Sequence, residues 1–137
     1  MFIKKLRNMS KTSIKFAVLS YFIFLVLAIF CFFSASAEIS YVQQTSSWIK
    51  IYNERGQVER SISSSNGYLV GYSSKIFILE GNSWYYIYND KGNRISTVSK
   101  SSVGRIINVV GNTFISEGNS WIYVYNSKGQ RISTRSK

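Results

Sequence analysis

Tryptophan and tyrosine recur at fixed places in this chain, and their ring faces are its most evident binding chemistry. In three segments a tryptophan is followed four residues later by a tyrosine, giving the pairs Trp48 and Tyr52, Trp84 and Tyr88, and Trp121 and Tyr125. Such rings stack on sugars or bases because they combine apolar area with a negatively polarised face. Residues that recur in every repeat also pack repeats together, and we expect this to be their main role. The alternative is a carbohydrate-binding platform made of Trp48, Trp84, Trp121, Tyr88 and Tyr125.

Catalytic chemistry has little support among the residue types. The chain contains no histidine, and its single cysteine, Cys31, lies in an N-terminal apolar run. Transition metals require clusters of His, Cys and carboxylate ligands, which the sequence lacks. Glu80 and Glu117 could act as a general acid and base, but their equivalent places in successive repeats favour a structural role in turns. We therefore expect a protein that is not an enzyme, with no catalytic residue, no cofactor and no metal.

A repeat of about 37 residues must position these side chains, and a period of this length is typical of solenoids, propellers and arrays. The segments 42–57, 79–94 and 116–131 align without gaps. Each combines short runs of Ile, Val, Tyr and Ser with Gly-Asn and Asn-x-x-Gly turns, which indicates antiparallel strands joined by tight turns. The sequence therefore predicts an all-β repeat domain over 38–137.

The turns divide this domain into units of about 38–63, 64–99 and 100–137, separated by serine-rich links. The first unit is incomplete, with three predicted strands, and each of the others has four. The predicted strands lie near 40–44, 48–53 and 57–63, then near 68–73, 75–80, 84–89 and 93–99, and finally near 104–110, 112–117, 121–126 and 130–135. Four short antiparallel strands followed by a looser link are typical of a propeller blade.

Both faces of each predicted sheet are apolar, because successive side chains of a strand point to opposite sides. Tyr86 and Tyr88 share one face of their strand, while Tyr85 and Ile87 share the other. Sheets stacked face to face would bury both sides. Lys50 takes the place of Tyr86 in the first unit, which suits a blade whose outer side has no neighbour, or a lysine whose stem packs while its amine reaches water.

The segment 111–132 resembles the blades of NHL-type and related bacterial β-propellers. In that family a Gly-Asn turn precedes a strand, and an aromatic-Asp/Asn-x-x-Gly turn joins the third strand to the fourth. The resemblance covers 41–135 and implies propeller-like blades, although the usual acidic residue of the turn is Asn here. A β-trefoil is the main alternative fold.

Fewer than three complete blades cannot close a ring, since closed propellers typically have four to eight. Two copies could join into a six-bladed ring, another protein could complete it, or the structure could stay open. Innermost strands and the links entering them line a propeller's central opening. Among positions that differ between units, this indicates a ligand surface at Tyr68, Tyr72, Arg105 and Asn108.

The segment 1–37 has the three parts of a secretory signal peptide. A basic leader precedes the apolar run 17–33, and Ala35 and Ala37 place small residues before a cleavage site at Glu38. The run is at the lower limit of the roughly 17–25 residues that a membrane-spanning helix needs. We therefore expect a secreted or periplasmic protein, and an uncleaved membrane anchor is the alternative.

Without this leader the chain is moderately basic, with 12 Lys and Arg against 6 Asp and Glu. Scattered charges favour an ordinary soluble surface, with attraction to an anionic envelope polymer as the alternative. No nucleic-acid partner is expected, and membrane contact is expected only if the N-terminal segment is uncleaved. We predict a binding or assembly module of the bacterial envelope that binds a protein partner or itself through repeat faces or edges. A lectin-like module that binds glycans is the alternative.

Overall fold

The computed structural model describes residues 11–30 and 38–137, and the chain divides into two compact units, 1–36 and 37–137. In the first unit, helix α1 spans Lys11–Phe30, and its side chains from residue 11 to residue 23 are exposed. The predicted cleavage site at 35–37 and the start of the basic leader lie outside the described residues. Within the described ranges, no helix meets the length and apolar character that a membrane span requires.

The second unit consists of short β-strands. The strands are β1 (Tyr41–Gln44), β2 (Trp48–Tyr52), β3 (Val58–Ser63), β4 (Tyr68–Tyr72), β5 (Ile76–Glu80), β6 (Trp84–Asn89), β7 (Arg94–Ser99), β8 (Arg105–Val110), β9 (Thr113–Glu117), β10 (Trp121–Asn126) and β11 (Arg131–Ser136). The alternating and turn-bounded pattern of the sequence predicted each of them to within about a residue at either end, because every strand ends at a tight turn or a serine-rich link.

These strands form three separate antiparallel sheets, which confirms the predicted all-β class and the incomplete first unit. The sheets are the first blade (β1–β3), the second blade (β4–β7) and the third blade (β8–β11), and within each the strands pair in chain order. Among the described residues no ladder joins one blade to another, as the barrel of a β-trefoil would require. The blades do not close into a ring.

The tight turn between the last two strands of each blade is built by an asparagine. The Oδ1 atom of Asn89 accepts from the backbone N–H groups of Lys91 and Asn93, at 3.0 and 2.9 Å. The Asn53 and Asn126 side chains make the same pair of bonds in the other blades. Asparagine at this position closes the turn by imitating a backbone turn.

Two helical turns link the blades. A 3₁₀ turn spans Ser64–Asn66 before β4, and helix α2 spans Lys100–Val103 before β8. The sequence predicted serine-rich connections here but not their helical form. Each turn ends at a glycine with positive φ, and a side chain there would collide with the carbonyl oxygen of Glu80 or Glu117. The links are thereby held against the blade that follows.

The core of the second unit consists of two layers, one on each side of the second blade. One cluster joins the first blade to the second and includes Ile49, Ile51, Phe77 and Tyr88. The other joins the second blade to the third and includes Ile78, Ile87, Phe114 and Tyr125. The middle blade is therefore covered on both faces, which explains why Ile76, Phe77, Ile78 and Leu79 of β5 are all buried.

Candidate functional site

The two interfaces between blades have a similar composition, although the second also buries Tyr85. In each, an aliphatic face of one blade packs on an aromatic face of the next. Ile49 and Ile51 of the first blade pack in one cluster with Phe77 and Tyr88 of the second. The second blade repeats this arrangement with Ile78 and Ile87, which pack in one cluster with Phe114 and Tyr125 of the third. Every blade thus carries one aliphatic and one aromatic face.

The aromatic side of each covered interface contains a stacked ring pair. The ring centroids of Phe77 and Tyr88 are 4.9 Å apart, with an interplanar angle of 10°. Those of Phe114 and Tyr125 are 5.1 Å apart, with an angle of 7°. Stacked pairs of this kind add a modest stabilisation to that given by burial of the rings.

In the described part of the chain, no blade covers the aliphatic face of the third blade. Ile122 and Val124 alternate along β10 with residues that pack toward the second blade, so they lie on the opposite side of the sheet. Their counterparts in the second blade, Tyr85 and Ile87, are buried. The group comprising Ile107, Ile115, Ile122 and Val124 is called here the third-blade face; Ile107 is 46% exposed and the others are partly exposed.

The aromatic face of the first blade is also uncovered. Tyr41 and Tyr52 are ladder partners that occupy the positions of Phe77 and Tyr88, but Tyr41 is 47% exposed and the rings are tilted, with centroids 5.8 Å apart. The Tyr52 hydroxyl donates to Gln43 Oε1 at 3.2 Å. Tyr41, Gln43, Lys50 and Tyr52 are called here the first-blade face, which is more polar than its covered counterparts.

The glycine of the Asn-x-x-Gly turn shows the same difference between covered and uncovered ends. A Cβ at Gly129 would lie 2.3 Å from Val98 Cγ1 in the preceding blade, and one at Gly92 would lie 2.8 Å from Arg60 Cγ. Gly56 has a similar φ of 73° but nothing within 4 Å of the same position. The turn of the first blade thus has open space where the other two turns contact the preceding blade.

A separate surface pocket of about 690 Å³ lies where the first link meets the second blade. Its wall includes the rings of Tyr68 and Tyr86 and the side chains of Asn66 and Asn82. Tyr68 is 76% exposed. Lys100 forms an ion pair with Glu80 at the pocket, so its charges are balanced. Exposed rings beside amides and hydroxyls suit a neutral polar ligand.

The corresponding place in the third blade is occupied differently. Arg105 takes the position of Tyr68 and forms an ion pair with Glu117, which also contacts Lys137 Nζ at 3.1 Å. Val103 takes the position of Asn66 and is buried. Of the pocket side chains, Tyr68 and Asn66 differ between the second and third blades, whereas Tyr86 and Asn82 recur as Tyr123 and Asn119.

The structure separates the four predicted ligand residues. Tyr68 and Arg105 begin the innermost strands β4 and β8 at equivalent positions, but Arg105 is engaged by Glu117. Tyr72 ends β4 and makes an edge-on ring contact with Tyr41, at 6.0 Å between centroids. Asn108 is the ladder partner of Ile115, beside the third-blade face. Among the four, Tyr68 is the residue that lines the pocket described above.

The residues of the predicted aromatic platform divide into two groups. Tyr88 and Tyr125 are buried in the stacked pairs, where they pack blades together. The three tryptophans begin β2, β6 and β10 and are each about half exposed, at 50%, 47% and 48% for Trp48, Trp84 and Trp121. Equal exposure in all three blades indicates a shared local environment.

The sequence predicted binding through repeat faces or edges and indicated through Lys50 that the first blade could lack a neighbour on its outer side, but it did not locate the third-blade face. Lys50 and Gln43 replace Tyr86 and Leu79, residues that cover the first blade. The pocket was missed because its lining combines a link with a distant turn, 64–67 with 80–82.

Burial shifts the titration of several groups in the blades. Burial raises the pKa of Tyr85, Tyr88 and Tyr125, since the charged phenolate is poorly solvated inside a protein. A hydrogen bond to Glu38 raises the pKa of Lys75, whose Nζ lies 2.5 Å from Glu38 Oε1. Across the described ranges, no group of three His, Cys, Asp or Glu side chains could hold a metal ion.

No protein-family model matches this chain, and comparisons with curated proteins and with solved structures found no significant match either. The resemblance of 111–132 to NHL-type blades therefore stays a prediction. The fold and surfaces define an open stack of three propeller-like blades with two uncovered end faces.

Proposed function

We propose that this protein is a non-enzymatic assembly module, secreted or held in the cell envelope, that binds a protein through its uncovered blade faces. The observation that carries this proposal is the third-blade face. The side chains of Ile115, Ile122 and Val124 are partly exposed, although the same positions in the other two blades are buried. A contiguous apolar face of this kind on a soluble domain marks an interaction site.

The first-blade face supports the same function. It presents two tyrosine rings together with Gln43 and Lys50, and tyrosine is enriched where proteins meet. Tyr41 and Tyr52 occupy the positions where the covered blades have stacked ring pairs. A partner on this face would cover the rings of Tyr41 and Tyr52.

Site-specific photo-crosslinking tests the proposal in the full chain. A photoreactive phenylalanine at Ile122 or at Lys50 should give a discrete crosslinked product in the native envelope. The matched control is the same residue at Asn112, an exposed turn position of the third blade. Absence of a product from both faces, with the protein folded, would refute the assembly function.

The Tyr68 pocket favours a second candidate function, the binding of a neutral saccharide. Its exposed ring and neighbouring amides supply stacking and hydrogen bonding, which are the two contacts that a sugar ring uses. A glycan array with Tyr68→Ala and Trp84→Ala variants separates the pocket from the tryptophan platform. Binding lost only in Tyr68→Ala supports the pocket, binding lost only in Trp84→Ala supports the platform, and no binding by the wild type refutes both.

A further inference from the structure

We infer that the partner on both uncovered faces is a second copy of this chain, joined head to tail so that two copies close a six-bladed ring. This inference rests on the proposed assembly function and names its partner. The third-blade face of each copy would lie on the first-blade face of the other.

The composition of the internal interfaces supports this pairing. Each buries an aliphatic face of one blade against an aromatic face of the next. The chain ends with one uncovered face of each kind, on opposite ends of the stack. A head-to-tail contact would therefore resemble an interface that the chain already makes twice, with Ile122 and Val124 on Tyr41 and Tyr52. Gln43 and Lys50 would take the places that Leu79 and Tyr86 have in the covered contact.

The turn glycines support the same register. Gly92 and Gly129 each lie against the outermost strand of the preceding blade, whereas Gly56 lies against nothing. In the joined pair, the strand that precedes Gly56 would be β11 of the other copy. The open space beside Gly56 would then be filled as it is beside Gly92 and Gly129.

Charge fits this contact. Arg135 is the ladder partner of Ile122, as Val98 is the partner of Tyr85, and Val98 is the side chain beside Gly129. By this equivalence Arg135 of one copy would lie near Gly56 of the other, next to Glu54. The third unit carries six basic residues and one acidic residue, whereas the first carries three of each. The strongly basic third unit of one copy would thus meet the neutral first unit of the other, so that two basic ends are not brought together.

Asn108 provides an independent steric argument. It takes the position of Gly71, where a Cβ would lie 2.9 Å from Val109 Cγ2 in the innermost strand of the third blade. The described part of the first blade begins at β1, the counterpart of β5, so it places no innermost strand at this point. An asparagine can therefore face the first blade where a glycine is required between the other two.

The blade count is compatible with a closed ring. Contacts between unlike faces form a ring if the rotation closes and a filament if it does not. Two copies give six blades, within the range of four to eight for closed propellers. Both end faces of both copies would then be buried.

Complementation between two face variants of the full chain tests the inference. One variant carries Val124→Lys on the third-blade face, and the other carries Tyr41→Lys and Tyr52→Lys on the first-blade face. Each substitution should weaken association about thirtyfold, as expected at the centre of an interface. Head-to-tail pairing predicts that each variant alone is monomeric by light scattering, and that an equimolar mixture forms a one-to-one pair through the remaining intact faces.

Other outcomes would overturn the inference. Dimerisation of either variant alone would indicate a contact between like faces. Open-ended wild-type assemblies would contradict ring closure. A wild type that stays monomeric over a 100-fold range of concentrations up to about 1 mM would contradict self-association, because specific interfaces are populated at such concentrations. Formation of the mixed pair itself shows that both variants are folded, and circular dichroism of each provides a second check.

The same samples separate this inference from the assembly function. If the wild type is monomeric but a photoreactive residue at Ile122 still crosslinks to another polypeptide, the second-copy inference fails and the assembly function stands. If the crosslink is also absent, both fail.

Discussion

The ring of Phe77 lies parallel to that of Tyr88, with centroids 4.9 Å apart, inside the contact between the first and second blades. The equivalent pair on the first blade, Tyr41 and Tyr52, is tilted and 5.8 Å apart. Two pairs at the same place in the repeat thus differ in whether a neighbouring blade covers them. The contrast between covered and uncovered faces underlies both the expected stability effects and the proposed binding.

Truncation of the covered ring should destabilise the fold strongly. Phe77→Ala removes a fully buried side chain and should lower the free energy of unfolding by about 3–5 kcal/mol. Tyr41→Ala is the matched control on the uncovered blade and should cost under about 1 kcal/mol, since half-exposed rings contribute less. Urea denaturation in the Val124→Lys background measures both without dimerisation. An equal loss of stability in the two variants would contradict the burial of Phe77 and the partial exposure of Tyr41.

The buried hydroxyl of Ser116 should stabilise the link to the third blade. Its Oγ donates to the backbone carbonyl of Val103 at 2.6 Å, in a fully buried position. Ser116→Ala leaves that carbonyl with one partner fewer and should cost about 1–2 kcal/mol. Ser120→Ala, at an exposed position, serves as the control and should change stability little. A neutral Ser116→Ala would show that the bond contributes nothing net.

Alanine substitution at two turn glycines should lower the stability of the fold by unequal amounts. Both Gly56 and Gly129 have positive φ, so alanine costs about 1 kcal/mol or more at either site. At Gly129 the new Cβ would also meet Val98 Cγ1 at 2.3 Å, which should add about 1–3 kcal/mol of strain. Thermal denaturation of both variants in the monomeric Val124→Lys background gives the comparison. A Gly56→Ala variant as unstable as Gly129→Ala would contradict the open space at the first blade.

Stability should fall at alkaline pH. Burial raises the pKa of Tyr88 and Tyr125 in the folded state above the value of about 10 in the unfolded chain. The folded form therefore binds the two phenolic protons more tightly than the unfolded chain does. The stabilisation that results is fully present below about pH 10 and is lost as the pH rises through the folded pKa. Denaturation between pH 8 and 11 should show this decline, and a Tyr88→Phe, Tyr125→Phe double variant should reduce it. An unchanged slope in the double variant would exclude these phenols as its source.

The sequence predicted the fold more completely than it predicted the candidate site. Strand and turn positions follow from local signals, such as the Asn89 side chain that closes its own turn. Pairing in chain order then follows, because each turn is too short for any other connection. Alternation assigns a side chain to a face of its sheet, but whether that face is covered depends on how whole blades stack. The sequence pattern therefore could not show that Ile122 is partly exposed whereas Ile87 is buried. The Tyr68 pocket similarly depends on a link and a turn that meet only in the folded chain.

Covalent footprinting of tyrosine in the native envelope tests the central claim most directly. Tyr41 and Tyr68 are both exposed in the single chain, at 47% and 76%. If the uncovered faces bind a protein, Tyr41 should be protected from labelling while Tyr68 is modified, and Val124→Lys should restore labelling of Tyr41 when the partner is a second copy. Labelling of Tyr41 in the wild type at the level seen in the unassembled chain would contradict the account.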